Sequence, residues 1–117
     1  MSDAYELFRE GQKRLRKGMT AQATVPLERA KKLEPEKASI REALGIAYFR
    51  LARWQDAERE FRTIVEVLSP TDHYAHYALG RALERQGRAT EANGHYKLAS
   101  SMKPGSETYS SRILDLD

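Results

Sequence analysis

The three histidines are the first residues in this 117-residue chain with types suited to chemistry. His73 and His76 stand three apart beside Asp72, a spacing that puts two imidazoles on one helix face and offers a metal ion two ligands. No third ligand is evident, and histidines at a helix start more often meet solvent or help with capping. His95 stands alone beside Asn93-Gly94. Cysteine is absent, so there is no thiol nucleophile, no cysteine metal site and no disulfide frame. Ser100, Ser101, Ser110 and Ser111 lack a paired base in any readable pattern, and Gly87 and Gly94 do not fit the spacing of a phosphate loop. Glu58 and Glu60 flank arginines at helical spacing, as surface ion pairs of little energetic weight do. These residues point away from catalysis and call for no metal and no cofactor. Recognition chemistry remains. Tyr74 and Tyr77 lie three apart with Arg81 one turn later, so two rings and a guanidinium share one helix face.

The elements that position those side chains are helices. Asp3-x-x-Glu6 is a capping box for the first, which Gly18 breaks, and Thr20 is placed to cap the second. Pro26 falls inside that second helix, where it removes a backbone bond and predicts a kink, and Pro35 ends it. The third helix is expected over about 38–51 and the fourth over about 54–68. Thr71 or Asp72 caps the fifth, Gly87 ends it, and the sixth covers about 88–102. Ser106 can cap a last short helix in which Tyr109, Ile113 and Leu116 make one apolar stripe. No segment has the pattern of a strand.

These helices are copies of one another. Gly11, Gly45 and Gly80 are each followed by an alanine (Ala23, Ala57, Ala92), then by a large residue (Leu27, Phe61, Tyr96), then by Ala30, Ile64 or Ala99. Each unit closes on Pro35, Pro70 or Pro104, giving an internal repeat of 34 or 35 residues. A glycine inside a helix costs about 1 kcal/mol relative to alanine, so three in register imply close helix approach. Gly45 is expected to face Ala57 at that crossing, with the large residue filling the space between units. Compared with the other units, the second has one extra residue between Phe61 and Pro70, expected to lengthen the helix end or loop.

This register resembles the tetratricopeptide repeat family, whose pattern is W-x2-L-G-x2-Y, then A-x3-F, then P. The second unit carries Leu44-Gly45-x-x-Tyr48, Trp54, Ala57 and Phe61; the third carries Leu79-Gly80-x-x-Leu83, Gly87, Ala92, Tyr96, Ala99 and Pro104. In the first, Glu10-Gly11 and Arg14 replace Leu-Gly and Tyr, a divergence suited to a terminal unit. Leu7, Arg41 and His76 stand where the family has its tryptophan. The resemblance implies an all-α, right-handed helical solenoid, a single domain over 1–117. Its units cover approximately 4–37, 38–72 and 73–106, with a capping helix at approximately 107–117. It implies a non-catalytic protein–protein interaction module with an adaptor or scaffold role.

The resemblance also implies that the first helix of each unit lines a concave surface. The inward positions are then Tyr5, Phe8, Gln12 and Arg16; Glu42, Ile46, Phe49 and Arg50; and Tyr74, Tyr77, Arg81 and Arg85. Aromatic rings and arginines are the residue types that dominate binding hot spots. Relatives that are chaperone co-factors grip a C-terminal carboxylate with a Lys/Asn set. Here Phe8 and Gln12 replace Lys and Asn, Ala43 replaces Asn, and Tyr74 and Ala78 replace Lys and Arg. The implied partner is a protein or peptide segment with an apolar or aromatic element and an acidic one. The alternative is that the aromatics fill the core, that the chain's own tail occupies the groove, or that the module self-associates through its ends or C-terminal helix as a homo-oligomer.

Charge and hydropathy set outer bounds. The formal net charge is +3, and residues 1–37 hold nine basic and six acidic groups. Arg9, Lys13, Arg14, Arg16 and Lys17 cluster on the first helix, where they could meet an acidic protein or nucleic acid. Such a run is more often a solvated face, so nucleic acid ranks behind protein as a partner. No apolar run approaches the ~18 residues of a membrane span. The opening residues have no leader pattern, so a cytoplasmic protein is the expectation.

Overall fold

The computed structural model describes residues 3–113. Three helix pairs follow one another: α1 (Ala4–Arg16) with α2 (Thr20–Leu33), α3 (Ala38–Arg50) with α4 (Trp54–Thr63), and α5 (His73–Arg85) with α6 (Ala89–Met102). A short α7 (Glu107–Ser110) follows. Among the described residues there is no strand. Successive pairs stack into an all-α solenoid with extents of 54 × 24 × 21 Å.

The turn inside each pair is the same device three times. The backbone N–H groups of Met19, Arg53 and Arg88 reach back to the carbonyls of Arg14, Tyr48 and Leu83 at 2.9, 2.8 and 3.0 Å. The residue before each donor, Gly18, Ala52 or Gly87, has positive φ. This is a Schellman closure, which satisfies the orphan carbonyls at the end of one helix and leads directly into the next. It also corrects one expected cap. Thr20 lies inside α2, and the N-cap is Met19 with no side-chain bond, because the closure leads into α2 one residue earlier. Asp3, Asp72 and Ser106 do cap, accepting from the backbone N–H of Glu6, Ala75 and Tyr109.

Close approach within each pair has a different partner from the one expected. The atoms nearest to a Cβ built on Gly45 belong to Phe61, at 2.6–2.9 Å. Gly11 meets Leu27 and Gly80 meets Tyr96 in the same way. The glycines therefore make room for the large residue of their own pair rather than for Ala57 and its counterparts, which are fully buried elsewhere in the same core.

Two backbone irregularities have local answers. Pro26 is buried within α2 and has no N–H for the carbonyl of Gln22. Arg14 of α1 supplies the missing donor, its Nη1 lying 2.9 Å from that oxygen. The extra residue of the second unit lengthens no loop. It is absorbed at the end of α4, where Ile64–Leu68 forms a π turn and Ser69 N–H bonds to Ile64 O at 2.7 Å. The fourth α-helix thus ends at Thr63 instead of continuing regularly to Leu68.

Ion pairs join successive units. Glu60 is only 4 % exposed and binds Lys31 at 2.8 Å and Arg41 at 3.2 Å. Its expected role as a surface pair is therefore wrong: Lys31 comes from α2 and Arg41 from α3, so the carboxylate ties α4 to both helices of the first interface. At the second interface Glu58 meets Arg88 and Arg62 meets Glu91, at 2.8 and 2.6 Å. The terminal helix is shorter than expected. Tyr109 is buried, Ile113 is exposed, and Leu116 lies outside the described residues.

Candidate partner-binding groove

α3 and α5 lie side by side as the first helices of consecutive pairs, and between them is a pocket of about 210 Å³ lined by Ile46, Phe49, Arg50, Phe61, Tyr74, Tyr77, Ala78 and Arg81. Six of these are sequence-predicted groove positions. Phe61 and Ala78 were not anticipated there. Phe61 reaches the floor because Gly45 lets its ring pass, and its ring centroid lies 6.5 Å from that of Tyr74 in an edge-on pair.

The walls are preorganised by stacking. Tyr74 and Tyr77 have ring centroids 6.2 Å apart, and Tyr77 packs at 6.1 Å from Tyr96 and 5.1 Å from Tyr109. Arg81 donates to the Tyr77 hydroxyl at 3.1 Å and lies over the Phe49 ring at 5.3 Å. Ordered between two rings, its guanidinium loses little further entropy on gripping a carboxylate. Arg85 is exposed and extends the row, standing 5.9 Å over Phe49 and 5.3 Å over Trp54. Trp54 itself packs edge-on to Phe49 at 4.9 Å. Among the described residues Arg50, Arg81 and Arg85 carry no ion pair, whereas Arg41, Arg62 and Arg88 at the unit interfaces do.

Glu42 is half-buried on α3, near Tyr74. Burial, reinforced by the carboxylate of Asp72, raises its carboxyl above the usual range. Burial also raises the Tyr74 hydroxyl, with Glu42 adding to the effect. Both groups are thereby biased toward their neutral forms.

The first pair contributes differently. Phe8 is partly buried against the core and Gln12 is half-buried on the same helix. Tyr5 is 64 % exposed and lies under Arg9. Tyr5 and Arg16 line a separate depression on α1 with Arg9 and Lys13. Trp54 and Tyr109 adjoin the groove but were missed as site residues. The aromatic at 109 repeats the register of Tyr74 thirty-five residues on, which is the one signal that could have found it.

Among the described residues no group of three or more His, Asp or Glu side chains could hold a metal ion. His95 is not alone, as its Nδ1 lies 3.1 Å from that of His76, with the ring centroids 5.3 Å apart. Among the described residues no helix is long and apolar enough to cross a membrane.

A family model described as Tetratricopeptide repeat matches residues 42–107. The solved structure of the first TPR of Spaghetti (RPAP3) bound to the HSP90 peptide SRMEEVD superposes with a TM-score of 0.90 at 21 % identity, covering 95 % of this chain and 87 % of that one. The crystal structure of MamA gives a TM-score of 0.90 at 24 % identity, covering 94 % and 64 %. YrrB, titled a TPR protein with an unusual peptide-binding site, gives 0.89 at 17 % identity, covering 95 % and 57 %. The chain thus spans less than two thirds of MamA and YrrB. No curated protein matches the sequence.

Proposed function

The chain belongs to the tetratricopeptide repeat family, and we propose that it is a non-catalytic recognition module that holds a peptide or partner segment in the groove between α3 and α5. The observation that carries this reading is the pairing of an aromatic pocket with arginines that no described carboxylate neutralises. A bulky apolar side chain of the partner fills the space between Phe49, Tyr74 and Tyr77, and an adjoining carboxylate meets Arg81 and Arg50. The HSP90 peptide named with the Spaghetti structure is acidic as well, SRMEEVD. Phe8, Gln12, Ala43, Tyr74 and Ala78 replace the Lys/Asn set of chaperone co-factors, so the grip proposed here relies on different side chains. Tyr5, Phe8, Gln12, Arg16, Glu42 and Arg85 are assigned a flanking role along the same concave side.

The test is selection from a random peptide library on the immobilised protein, followed by binding of the enriched peptides to parent and Arg50→Gln/Arg81→Gln chains. These arginines are not core residues, so the fold survives the change. Tyr77 is a poorer choice because it also supports Tyr96 and Tyr109. A charged hydrogen bond of this kind contributes about 1.5–3 kcal/mol, so affinity should fall roughly ten- to hundredfold for each arginine removed. Enrichment of peptides without an acidic residue, or equal binding by the double variant, refutes the reading.

A further inference from the structure

His76 and His95 make a closed hydrogen-bonded unit between α5 and α6. His76 is 6 % exposed, and its Nε2 lies 2.7 Å from the carbonyl oxygen of Pro70. A carbonyl only accepts, so that nitrogen carries the hydrogen. In the neutral ring Nδ1 is then a lone pair, and it faces Nδ1 of His95 at 3.1 Å. The hydrogen between the rings therefore belongs to His95. The centroids are 5.3 Å apart and the planes 24° apart, so the rings meet edge to edge and nearly coplanar, with the N–H of one aimed along the lone pair of the other. There is room for one hydrogen between the two Nδ1 atoms and no room for two. A first added proton can sit on the far nitrogen of His95 and leave this bond intact; a second turns it into two opposed N–H groups on two cations.

Among the described residues the surroundings offer no free counter-charge. Arg62 of α4 acts on His95, and the carboxylates nearest to it, Glu66 of the π turn and Glu91 of α6, are both already bound to Arg62 at 3.3 and 2.6 Å. Asp72, at the start of α5, is engaged in capping Ala75. The third histidine, His73, is bonded to the Tyr109 hydroxyl at 2.7 Å, toward α7.

We propose that His76 and His95 are a proton-sensitive latch that holds α5 on α6 while at most one extra proton is present and loosens the third helix pair once both rings are charged. Burial, then the neighbouring His76 and Arg62, depresses the His95 imidazole below the ordinary histidine range. A depressed base contributes stability that is complete above its unfolded value of about 6.5 and is lost as pH falls through and below that value. α5 also carries Tyr74, Tyr77 and Arg81. If the groove reading holds, acidification weakens partner binding too, but the latch is measured without any ligand, so its failure leaves that reading standing.

The experiment compares denaturant midpoints of the parent and His95→Gln chains between pH 7.5 and 5.5, above most carboxylate titration. A histidine kept neutral in the fold lowers the folding equilibrium constant about tenfold at pH 5.5. The parent should lose about that much more than the variant. Equal losses overturn the latch. Imidazole NMR on the parent chain decides the matter independently of how the variant folds. The expected result is hydrogens on His76 Nε2 and His95 Nδ1 at pH 7.5, with His95 taking up its proton below the ordinary histidine range. A His95 titration at about 6.5, or a hydrogen on His76 Nδ1 at pH 7.5, overturns the proposal.

Discussion

Gly45→Ala and Gly94→Ala are the same substitution in the same fold, and the structure assigns them opposite signs. A Cβ on Gly45 would stand 2.6, 2.7 and 2.9 Å from three carbons of the Phe61 ring. Comfortable carbon contacts lie at about 3.5–4.0 Å, so the ring would have to retreat by roughly 1 Å. It has little freedom to do so, being 1 % exposed with Tyr74 at its edge. Overpacking of this kind costs about 1–3 kcal/mol, against a gain of about 1 kcal/mol in helix propensity. The net is a loss of about 1 kcal/mol, or roughly 4 °C in melting temperature for a chain of this size. Gly94 lies on the exposed side of α6 with nothing within 4 Å of its absent Cβ. There the propensity gain stands alone, and the melting temperature should rise by roughly the same amount. Circular dichroism melts of the two variants and the parent should order Gly94→Ala first, parent second, Gly45→Ala last. In a Phe61→Ala background the Gly45 change should become favourable. Gly45→Ala melting at or above the parent would show that the ring of Phe61 is not what the glycine accommodates.

Two further outcomes test the irregular parts of the frame. Arg14→Ala should destabilise by about 1 kcal/mol with Pro26 present and by much less in a Pro26→Ala chain, where a backbone N–H can serve the Gln22 carbonyl instead; a double-mutant cycle from urea melts reads the coupling, and additive effects refute the substitution of donors. Glu60→Ala leaves Lys31 and Arg41 facing each other across the first interface, and should cost about 2 kcal/mol, below the usual figure for a fully buried pair because both cations reach water. Loss below about 0.5 kcal/mol in urea titration would return Glu60 to the class of surface pairs.

The glycine, alanine and proline register was readable because each position answers to a backbone or volume constraint within one unit. What each glycine touches was not. Spacing along a helix says that a face needs a small residue but not which side chain crosses to fill the gap, so Ala57 was expected where Phe61 stands. The turn position shared by Gly18, Ala52 and Gly87 was half hidden because alanine occupies the left-handed conformation once. The π turn after Thr63 was visible only as a surplus residue, since a sequence gives the count but not whether a helix or a loop absorbs it. Glu60 and His95 were misjudged for a common reason. Each is polar on its own helix and is enclosed, Glu60 fully and His95 in part, only when a neighbouring helix brings its partners.

Stacking decides which predicted residues the candidate groove gathers and which it does not. Inward positions on α3 and α5 converge because each of these helices has another first helix beside it: Ile46, Phe49 and Arg50 face Tyr74, Tyr77 and Arg81 across one gap. Tyr109 of α7 then packs on Tyr77 and closes the far side. On α1 the repeat pattern is the same, but among the described residues no helix stacks on its outer side. Tyr5 therefore stays exposed under Arg9, and Arg16 lines a separate depression on α1. A position in the repeat supplies the side chain, and a stacked neighbour makes it part of a pocket. The residues with most to lose from removing a neighbour are thus those of α5, which packs against helices on both sides, and Tyr77 above all, whose ring meets Tyr74, Tyr96 and Tyr109 at once.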